Sequence, residues 1–446
     1  MKQSFLDYLT PSKFLVLGFT LLILIGTLLL TLPIATETGV RLSFLDALFT
    51  ATSATCVTGL IVMDTGDTFS LFGEIVILVL IQVGGLGFMT FGTMLFLLMG
   101  KKISLKERML IKESFNFTEL SGVVKIVRRI ILFTVVIETV GGVFLAVRFS
   151  FDMPLARAIY YGFFHAISNF NNAGFDLMGG YQGLTHYVDD PIVTMTVSLL
   201  IILGGLGFIV MNELFEYRHT HKLSLHGKVV LSTTSVLIIT ATILVFAFEF
   251  TNPKTLGSLS PIGKGFASFF QAVTPRTAGS NTLPIADLTN STLLLTIVLM
   301  FIGAGSGSTA SGIKVTTFTV LLATIWSQLR GKADVELFKR RIVVETILKA
   351  FTVTMCGLAV VVLTTFILSL TEHGHEFIVY LFEATSAFGT VGLSMGLTPE
   401  LTPFGRICII GTMFIGRLGP LTIGMALALN KKNSDFRYPK GNIMIG

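Results

Sequence analysis

The sequence predicts an all-α polytopic membrane protein in which four parallel copies of one unit surround a pseudo-fourfold axis. Three observations lead to this fold class. Of the 446 residues, 52% are hydrophobic and 13% are charged, which is far from the composition of an ordinary soluble domain. Eight apolar runs are long enough to cross hydrocarbon as helices. Four shorter apolar stretches, each followed by a glycine-containing loop, recur along the chain.

The eight apolar runs contain at most one charge each and approach the roughly 20 residues that a spanning helix needs. They lie at about 14–33, 75–99, 130–147, 192–212, 229–248, 293–313, 350–371 and 407–429. The first run ends without a small-residue cleavage site, so we expect a retained helix rather than a signal peptide. Lys and Arg are concentrated in alternate connections, and the positive-inside rule then places both termini in the cytoplasm.

Short apolar stretches lie between the two runs of each pair, at about 43–54, 157–169, 263–274 and 376–387. At 1.5 Å per residue, a helix of this length covers about half of the hydrocarbon core. Each stretch leads into a polar loop, written TCVTGL, FNNAGF, RTAGS and FGTVGL. In all four, a phenylalanine lies ten residues before the glycine: Phe49 and Gly59, Phe164 and Gly174, Phe269 and Gly279, Phe382 and Gly392.

These glycines recur at intervals of roughly 110 residues, which is too long for a solenoid repeat. The unit is a span, a half-helix, a loop and a second span, so every copy starts on the same side and all four loops enter from the outer face. The predicted units are residues 1–100, 101–216, 217–327 and 328–430, followed by a cytoplasmic tail at 431–446, with an intramembrane loop at 303–314 in the third unit.

The second span of each unit carries small residues, in the segments QVGGLGF, LGGLGF, IGAGSGSTASGIK and IGRLGPL. In the first two, close helix packing is the expected role. The third segment differs, because Gly303 to Gly312 contains too many glycines and hydroxyl side chains for an unbroken helix. Irregular backbone at membrane depth occurs only where it is buried in protein or lines water, so we expect a loop facing the axis.

The polar loops indicate a dehydrated cation as their ligand. A ring of backbone carbonyl oxygens replaces a hydration shell, and glycine allows the conformations that aim successive carbonyls at one axis. Half-helices whose carboxyl ends point at the centre add partial negative charge. An anion would instead require helix amino ends or basic side chains, and Arg276 is the one basic residue in these four loops.

Other classes of function find little support in the chain. The net charge of +6 is explained by inner loops rather than by nucleic acid, and three cysteines without paired spacing indicate neither a zinc site nor a disulfide framework. The segment GSTASGIKVT departs from a P-loop because Ile313 separates Gly312 from Lys314. No hydrolase constellation is evident, so we expect no enzyme and no cofactor.

The loop sequences, together with FHAISNFNNAGF, FFQAVTPRTAGS, FGTVGLSMGLTPELT and FIGRLGPLT, resemble the Trk/Ktr/HKT superfamily of potassium transporters over essentially the whole chain. They look specifically like the bacterial Ktr membrane subunits of the KtrB/KtrD kind. The resemblance implies potassium uptake across a bacterial cell membrane by a homodimer with one pore per subunit. It also implies a cytosolic nucleotide-binding ring of the KtrA/KtrC type as partner. A sodium-coupled potassium symporter is the alternative function.

The resemblance also carries site residues onto this chain. It implies a potassium-binding filter formed by Thr55, Cys56, Val57, Thr58 and Gly59, by Asn171, Asn172, Ala173 and Gly174, by Arg276, Thr277, Ala278 and Gly279, and by Gly389, Thr390, Val391 and Gly392. In the plant branch a serine at the first glycine accompanies sodium preference, so Gly59 implies potassium. A gate is expected at Gly303, Gly305, Gly307, Gly312 and Lys314, with Arg417 in contact with that loop.

Glu138 is a carboxylate in the middle of a predicted span. Such residues are costly in a membrane and are usually paired or wet. Because it lies on an outer helix of its unit, a structural interhelical hydrogen bond is the favoured interpretation, and a role in conduction or coupling is the alternative.

Overall fold

The computed structural model describes residues 11–87 and 123–427, which are mostly helical. The helices are α1 (Pro11–Leu30), α2 (Phe44–Cys56), α3 (Thr65–Thr68), α4 (Leu71–Leu86), α5 (Val123–Phe149), α6 (Leu155–Phe170), α7 (Pro191–Leu206), α8 (Phe208–Thr220), α9 (Leu225–Glu249), α10 (Pro261–Val273), α11 (Asn290–Ile302), α12 (Val315–Leu329), α13 (Val344–Thr371), α14 (Phe377–Gly389), α15 (Leu397–Glu400), α16 (Pro403–Leu418) and α17 (Pro420–Leu427). Strands β1 (Glu336–Leu337) and β2 (Arg340–Arg341) form an antiparallel hairpin.

One order of elements occurs four times: a long helix, a shorter helix, a loop and a second helix. The long helices are α1, α5, α9 and α13, and each is long and apolar enough to cross a membrane. Their lipid-facing sides remain apolar, with residues such as Leu28 and Phe144 exposed. The end of the predicted span 75–99, the connection after it and the predicted tail 431–446 lie outside the described residues.

The second helices end at glycines, which corrects the expectation of continuous spans at 192–212 and 407–429, whereas the break in 293–313 is the expected one. Helix α7 ends at Gly207, and the chain turns by 99° into α8. The predicted spans 293–313 and 407–429 likewise end as helices at Gly303 and Gly419, and α4 ends at Gly87. All four glycines have positive φ, between 72° and 94°. A left-handed residue cannot continue a right-handed helix, so the helix must stop at each of them.

The four shorter helices, α2, α6, α10 and α14, are the predicted half-helices. Ser43 begins α2 by accepting a hydrogen bond from the backbone of Asp46, and Ser260 begins α10 in the same way through Gly263. Toward their carboxyl ends these helices are almost completely buried. Left-handed residues, Val57 after α2 and Thr390 after α14, then end the helix.

The helices pack in a closed circle. Each second helix packs against the half-helix that follows it in the chain: α4 against α6, α7 against α10, α11 against α14 and, closing the circle, α16 against α2. Buried side chains from these helices form the hydrophobic core behind the four loops. The loops therefore meet at the centre of the circle.

The small residues of the second helices pack as the sequence predicted. A Cβ atom on Gly84 of α4 would lie 2.0 Å from the carbonyl oxygen of Thr55 at the end of α2. On Gly204 of α7 it would lie 1.9 Å from the carbonyl oxygen of Phe170. Any side chain at these positions would push the half-helix away, so glycine fixes the distance between the two helices.

Candidate functional site

The four predicted filter loops have the same backbone conformation. The residue two before each glycine has positive φ, as does the glycine itself: Val57 (59°) and Gly59 (88°), Asn172 (61°) and Gly174 (70°), Thr277 (69°) and Gly279 (80°), Thr390 (45°) and Gly392 (95°). The residue between them does not have positive φ. Alternation of this kind turns successive carbonyl groups toward one side of the loop, as a ring of carbonyl ligands requires.

The four glycines form a closed ring, in which each lies against the residue that precedes the next glycine. A Cβ atom on Gly59 would lie 2.3 Å from Ala173 O, on Gly174 2.6 Å from Ala278 O, on Gly279 2.4 Å from Val391 O, and on Gly392 2.2 Å from Thr58 O. We call this arrangement the glycine ring. It brings together segments that are more than 300 residues apart in the chain, and no side chain larger than hydrogen fits at any of its four positions.

Most predicted filter residues lie at the glycine ring and are buried. Thr55 differs, because it belongs to the last turn of α2 and its carbonyl oxygen lies against Gly84 rather than with the loops. Four hydroxyl groups of the predicted filter residues are buried with no hydrogen-bond partner among the described residues, namely those of Thr55, Thr58, Thr277 and Thr390. A buried hydroxyl without a partner costs free energy, so these four side chains do not serve stability alone.

Hydroxyl side chains behind the ring hold the loops, and sequence reasoning missed them. Ser53 and Ser386 each accept a hydrogen bond from the backbone N–H of their loop's ring glycine, with an N···O distance of 3.1 Å in both cases. Ser168 donates instead to the carbonyl oxygen of Phe175 at 2.7 Å, and Thr274 donates to that of Ser280. Each loop is thus fixed from its own half-helix.

The register of the third loop corrects the expectation from phenylalanine spacing. Phe49, Phe164 and Phe382 are fully buried, but Phe269 is only partly buried and its neighbour Phe270 takes the buried position. The shared pattern is a phenylalanine followed four residues later by the supporting serine or threonine. In the third unit the pair is Phe270 and Thr274, so this loop is one residue shorter before its glycine.

Glu138 joins three parts of the chain. Its carboxylate accepts hydrogen bonds from the side-chain amides of Asn171 at 3.0 Å and Gln82 at 3.3 Å, and Asn171 also donates to the Gln82 carbonyl oxygen at 2.7 Å. Asn171 is a predicted filter residue, and its side chain points into this network behind the loop. The contacts favour the structural interpretation of Glu138.

The segment 303–314 forms an irregular loop between α11 and α12, with positive φ at Gly303, Gly307, Gly312 and Lys314. Its backbone bonds to the break between α7 and α8: Gly305 N–H donates to Gly205 O at 2.8 Å, and Gly307 O accepts from Phe208 N–H at 3.0 Å. The Thr309 hydroxyl lies 3.3 Å from the side-chain oxygen of Asn172, a predicted filter residue. The loop is therefore directly adjacent to the second filter loop.

Arg417 contacts this loop, as the sequence predicted. Its guanidinium donates to the carbonyl oxygen of Thr309 and to those of Gly84, at 2.5 Å, and Gly85, at 3.2 Å, near the end of α4. A cation at the carboxyl end of a helix also interacts favourably with its dipole. Lys314 bonds within the loop itself, to the carbonyl oxygen of Ala310 at 2.5 Å.

Comparisons with known proteins agree with this architecture. The model of the TrkH family, described as a cation transport protein, matches residues 4–436. The chain is 47% identical to Ktr system potassium uptake protein B of Bacillus subtilis, over 98% of this chain and 97% of that protein. It is 42% identical to potassium/sodium uptake protein NtpJ of Enterococcus hirae, over 100% of this chain and 99% of that protein.

A solved structure, the potassium transporter TrkH from Vibrio parahaemolyticus, has the same fold. It superposes with a TM-score of 0.76 at 17% sequence identity, covering 96% of this chain and 87% of that one. The matched names are those of transporters rather than enzymes. From its sequence, which matches the family model over nearly its full length, and from its fold, the chain belongs to the TrkH family of cation transport proteins.

Proposed function

We propose that this protein takes up potassium across the bacterial cell membrane through the glycine ring. The observation that carries the proposal is the closed contact of four loops, each glycine against the carbonyl group before the next glycine. Carbonyl oxygens and the carboxyl ends of four buried half-helices around one axis would suit a dehydrated monovalent cation. The names of the relatives from Bacillus subtilis and Enterococcus hirae both include potassium uptake.

The proposed ligands are the backbone carbonyl groups of Cys56 to Thr58, Asn171 to Ala173, Arg276 to Ala278 and Gly389 to Val391. They surround the axis in four units, with the boundaries 1–100, 101–216, 217–327 and 328–430. Both termini and the tail 431–446 then lie in the cytoplasm, and the ring lies nearer the outer surface. The circular packing of second helices on half-helices supports the placement of four units around one axis, and the positive-inside rule supports the orientation.

The loop 303–314 is the proposed gate, with Arg417 as its latch. Contact with Asn172 of the second predicted filter loop supports this role, and glycine-rich backbone with few regular hydrogen bonds is suited to switching between two arrangements. We propose control by a cytosolic nucleotide-binding ring, because the Bacillus subtilis relatives are named as members of a Ktr system. Assembly as a homodimer is proposed from the resemblance alone. The sequence shows no nucleotide-binding motif, so the proposed nucleotide site lies on the partner.

A sodium-coupled symporter is the second candidate function. One observation favours it: the Enterococcus hirae relative is named a potassium/sodium uptake protein. A symporter would carry sodium and potassium together at a fixed stoichiometry, whereas a gated pore would let potassium flow down its own gradient.

Flux into liposomes containing the purified protein tests the proposal. We expect rubidium, a potassium substitute, to enter faster than sodium, and a cytosolic Ktr-type subunit with nucleotide to change the rate. Single-channel currents would support a pore, while rubidium entry that requires a sodium gradient would support the symporter. Equal entry of rubidium and sodium would contradict the potassium filter.

A further inference from the structure

We propose that the buried guanidinium of Arg276 makes the filter reject divalent cations. This inference rests on the proposed function of the glycine ring. Arg276 lies three residues before Gly279 in the third filter loop. The residues at the same position in the other loops are uncharged, namely Cys56, Asn171 and Gly389. One of four otherwise similar loops therefore carries a fixed positive charge.

The charge is held inside the protein rather than in solvent. The residue is 4% exposed, and its Nη2 donates to the hydroxyl of Thr234 on α9 at 3.1 Å. The Nε atom is buried without a hydrogen-bond partner, and no carboxylate in the described part of the chain forms a salt bridge with Arg276. A buried charge without a counter-ion is costly, so a residue that is merely structural would be served better by a neutral side chain.

The backbone of Arg276 contacts the neighbouring filter loop. The Arg276 carbonyl oxygen accepts a hydrogen bond from the Asn172 side chain of the neighbouring filter loop at 3.4 Å. The backbone of this residue is thus part of the site, while its guanidinium extends outward to α9. Since the guanidinium is buried in protein, with the residue 4% exposed, solvent screens its field only weakly.

The physical consequence depends on ionic charge. Four helix carboxyl ends and a ring of carbonyl groups attract any cation, and they attract a divalent ion twice as strongly as a monovalent one. Repulsion by a fixed positive charge also scales with the charge of the ion, so it raises the free energy of a bound divalent ion twice as much as that of a monovalent one. If the guanidinium weakens monovalent binding by a certain factor, it weakens divalent binding by about the square of that factor.

The experiment measures rubidium uptake and its inhibition by barium in liposomes. Arg276→Gln and Arg276→Met remove the charge, and Arg276→Lys keeps it. Thr234→Val is the matched control, because it removes the hydrogen bond but leaves the guanidinium. We expect the neutral variants to lower the rubidium KM by about threefold and the barium inhibition constant by about tenfold, near its square. The Lys and Thr234→Val variants should stay near the wild-type barium value.

Two results would overturn the inference. One is a barium constant in the neutral variants that is unchanged or that shifts no more than the rubidium KM. The other is loss of barium resistance in Arg276→Lys, and this second result decides the matter even if the neutral variants fail to fold. Failure of the proposed function is distinct, because wild-type protein would then show no preference for rubidium over sodium.

Discussion

The glycine ring and the loop 303–314 are both built from glycine with positive φ, yet they are held in different ways. In the ring, each loop is fixed by a hydroxyl of its own half-helix and by contact with the next loop, so the four support one another. The loop 303–314 has no counterpart to lock against. It is held by hydrogen bonds to the break between α7 and α8, to Asn172 and to Arg417 of α16.

This difference suggests how the two segments divide the work. Four mutually supporting loops have no independent freedom, which suits the constant spacing that ion discrimination requires. A single loop that depends on contacts with other helices can leave them when those helices move. Changes in the ring should therefore alter which ion passes, and changes in the loop should alter how fast ions pass.

The largest expected effect is that of Arg417→Ala. It removes the donor to Thr309, Gly84 and Gly85, and hydrogen bonds from a charged group contribute about 1.5–3 kcal/mol. We expect uptake without the cytosolic subunit to rise roughly 10- to 100-fold, with the rubidium-to-sodium ratio kept. Liposome flux with and without that subunit measures this.

Arg417→Lys is the control, since it keeps the charge but reaches fewer acceptors. It should give an intermediate rate. If Arg417→Ala abolished transport in folded dimers, or conducted with altered selectivity, the loop would belong to the conduction site and the contrast with the ring would fail.

The next effect is that of Gly59→Ser on selectivity. The new side chain would collide with Ala173 O and place a non-glycine residue at a φ of 88°. Left-handed backbone costs a non-glycine residue about 1–2 kcal/mol, so the rubidium-to-sodium ratio should fall by about tenfold. Gly396→Ala is the control, because it has the same strain at a φ of 100° with no atom within 4 Å of the new Cβ. An unchanged ratio in Gly59→Ser would remove this glycine from the filter.

A smaller effect is expected when the support of the ring is removed. Ser53→Ala leaves the Gly59 N–H without its acceptor, at a cost of about 1 kcal/mol, and the ion ratio should fall by roughly fivefold. Ser386→Ala should behave alike because it makes the same contact. The control Ser150→Ala removes an exposed hydroxyl that bonds to Val147 far from the ring. If Ser150→Ala lowered the rubidium-to-sodium ratio as much as Ser53→Ala does, the supporting role of Ser53 would be refuted.

The smallest effect is expected from Glu138→Gln, which tests how far the support extends behind the ring. An amide keeps the size of the carboxylate and an acceptor for Asn171, so rubidium uptake should stay within about twofold of wild type. Glu138→Ala should lower the melting temperature, because it leaves the amides of Asn171 and Gln82 buried with fewer partners. Complete loss of transport in Glu138→Gln would instead assign the charge a part in conduction.

Hydropathy predicted the long helices and the half-helices well, because burial in lipid imposes a length and a composition on each. It did not predict the break at Gly207. Glycines that allow close packing and glycines that end a helix look alike in sequence. At Gly207 the difference is a tertiary contact, the hydrogen bond from Phe208 N–H to Gly307 O. The break at Gly303 was predictable because breakers are crowded after it.

At the site, the ring glycines followed from the repeated loop, and Arg417 followed from the resemblance. The supporting hydroxyls did not, although the recurring phenylalanine and hydroxyl four residues apart was a signal that could have found them. The shift from Phe269 to Phe270 was hidden because two phenylalanines are adjacent. The partners of Glu138 lie 56 and 33 residues away, and such distant pairing is not encoded in local pattern.

The contact of Gly392 with Thr58 has a consequence for how the protein is made. The first loop meets its last neighbour only after the fourth half-helix has left the ribosome. At about 5–20 residues per second, the more than 300 intervening residues require roughly 15 to 70 seconds. Until then, Thr58 lacks the contact with Gly392 that closes the circle, so the ring completes only when the last unit has been made.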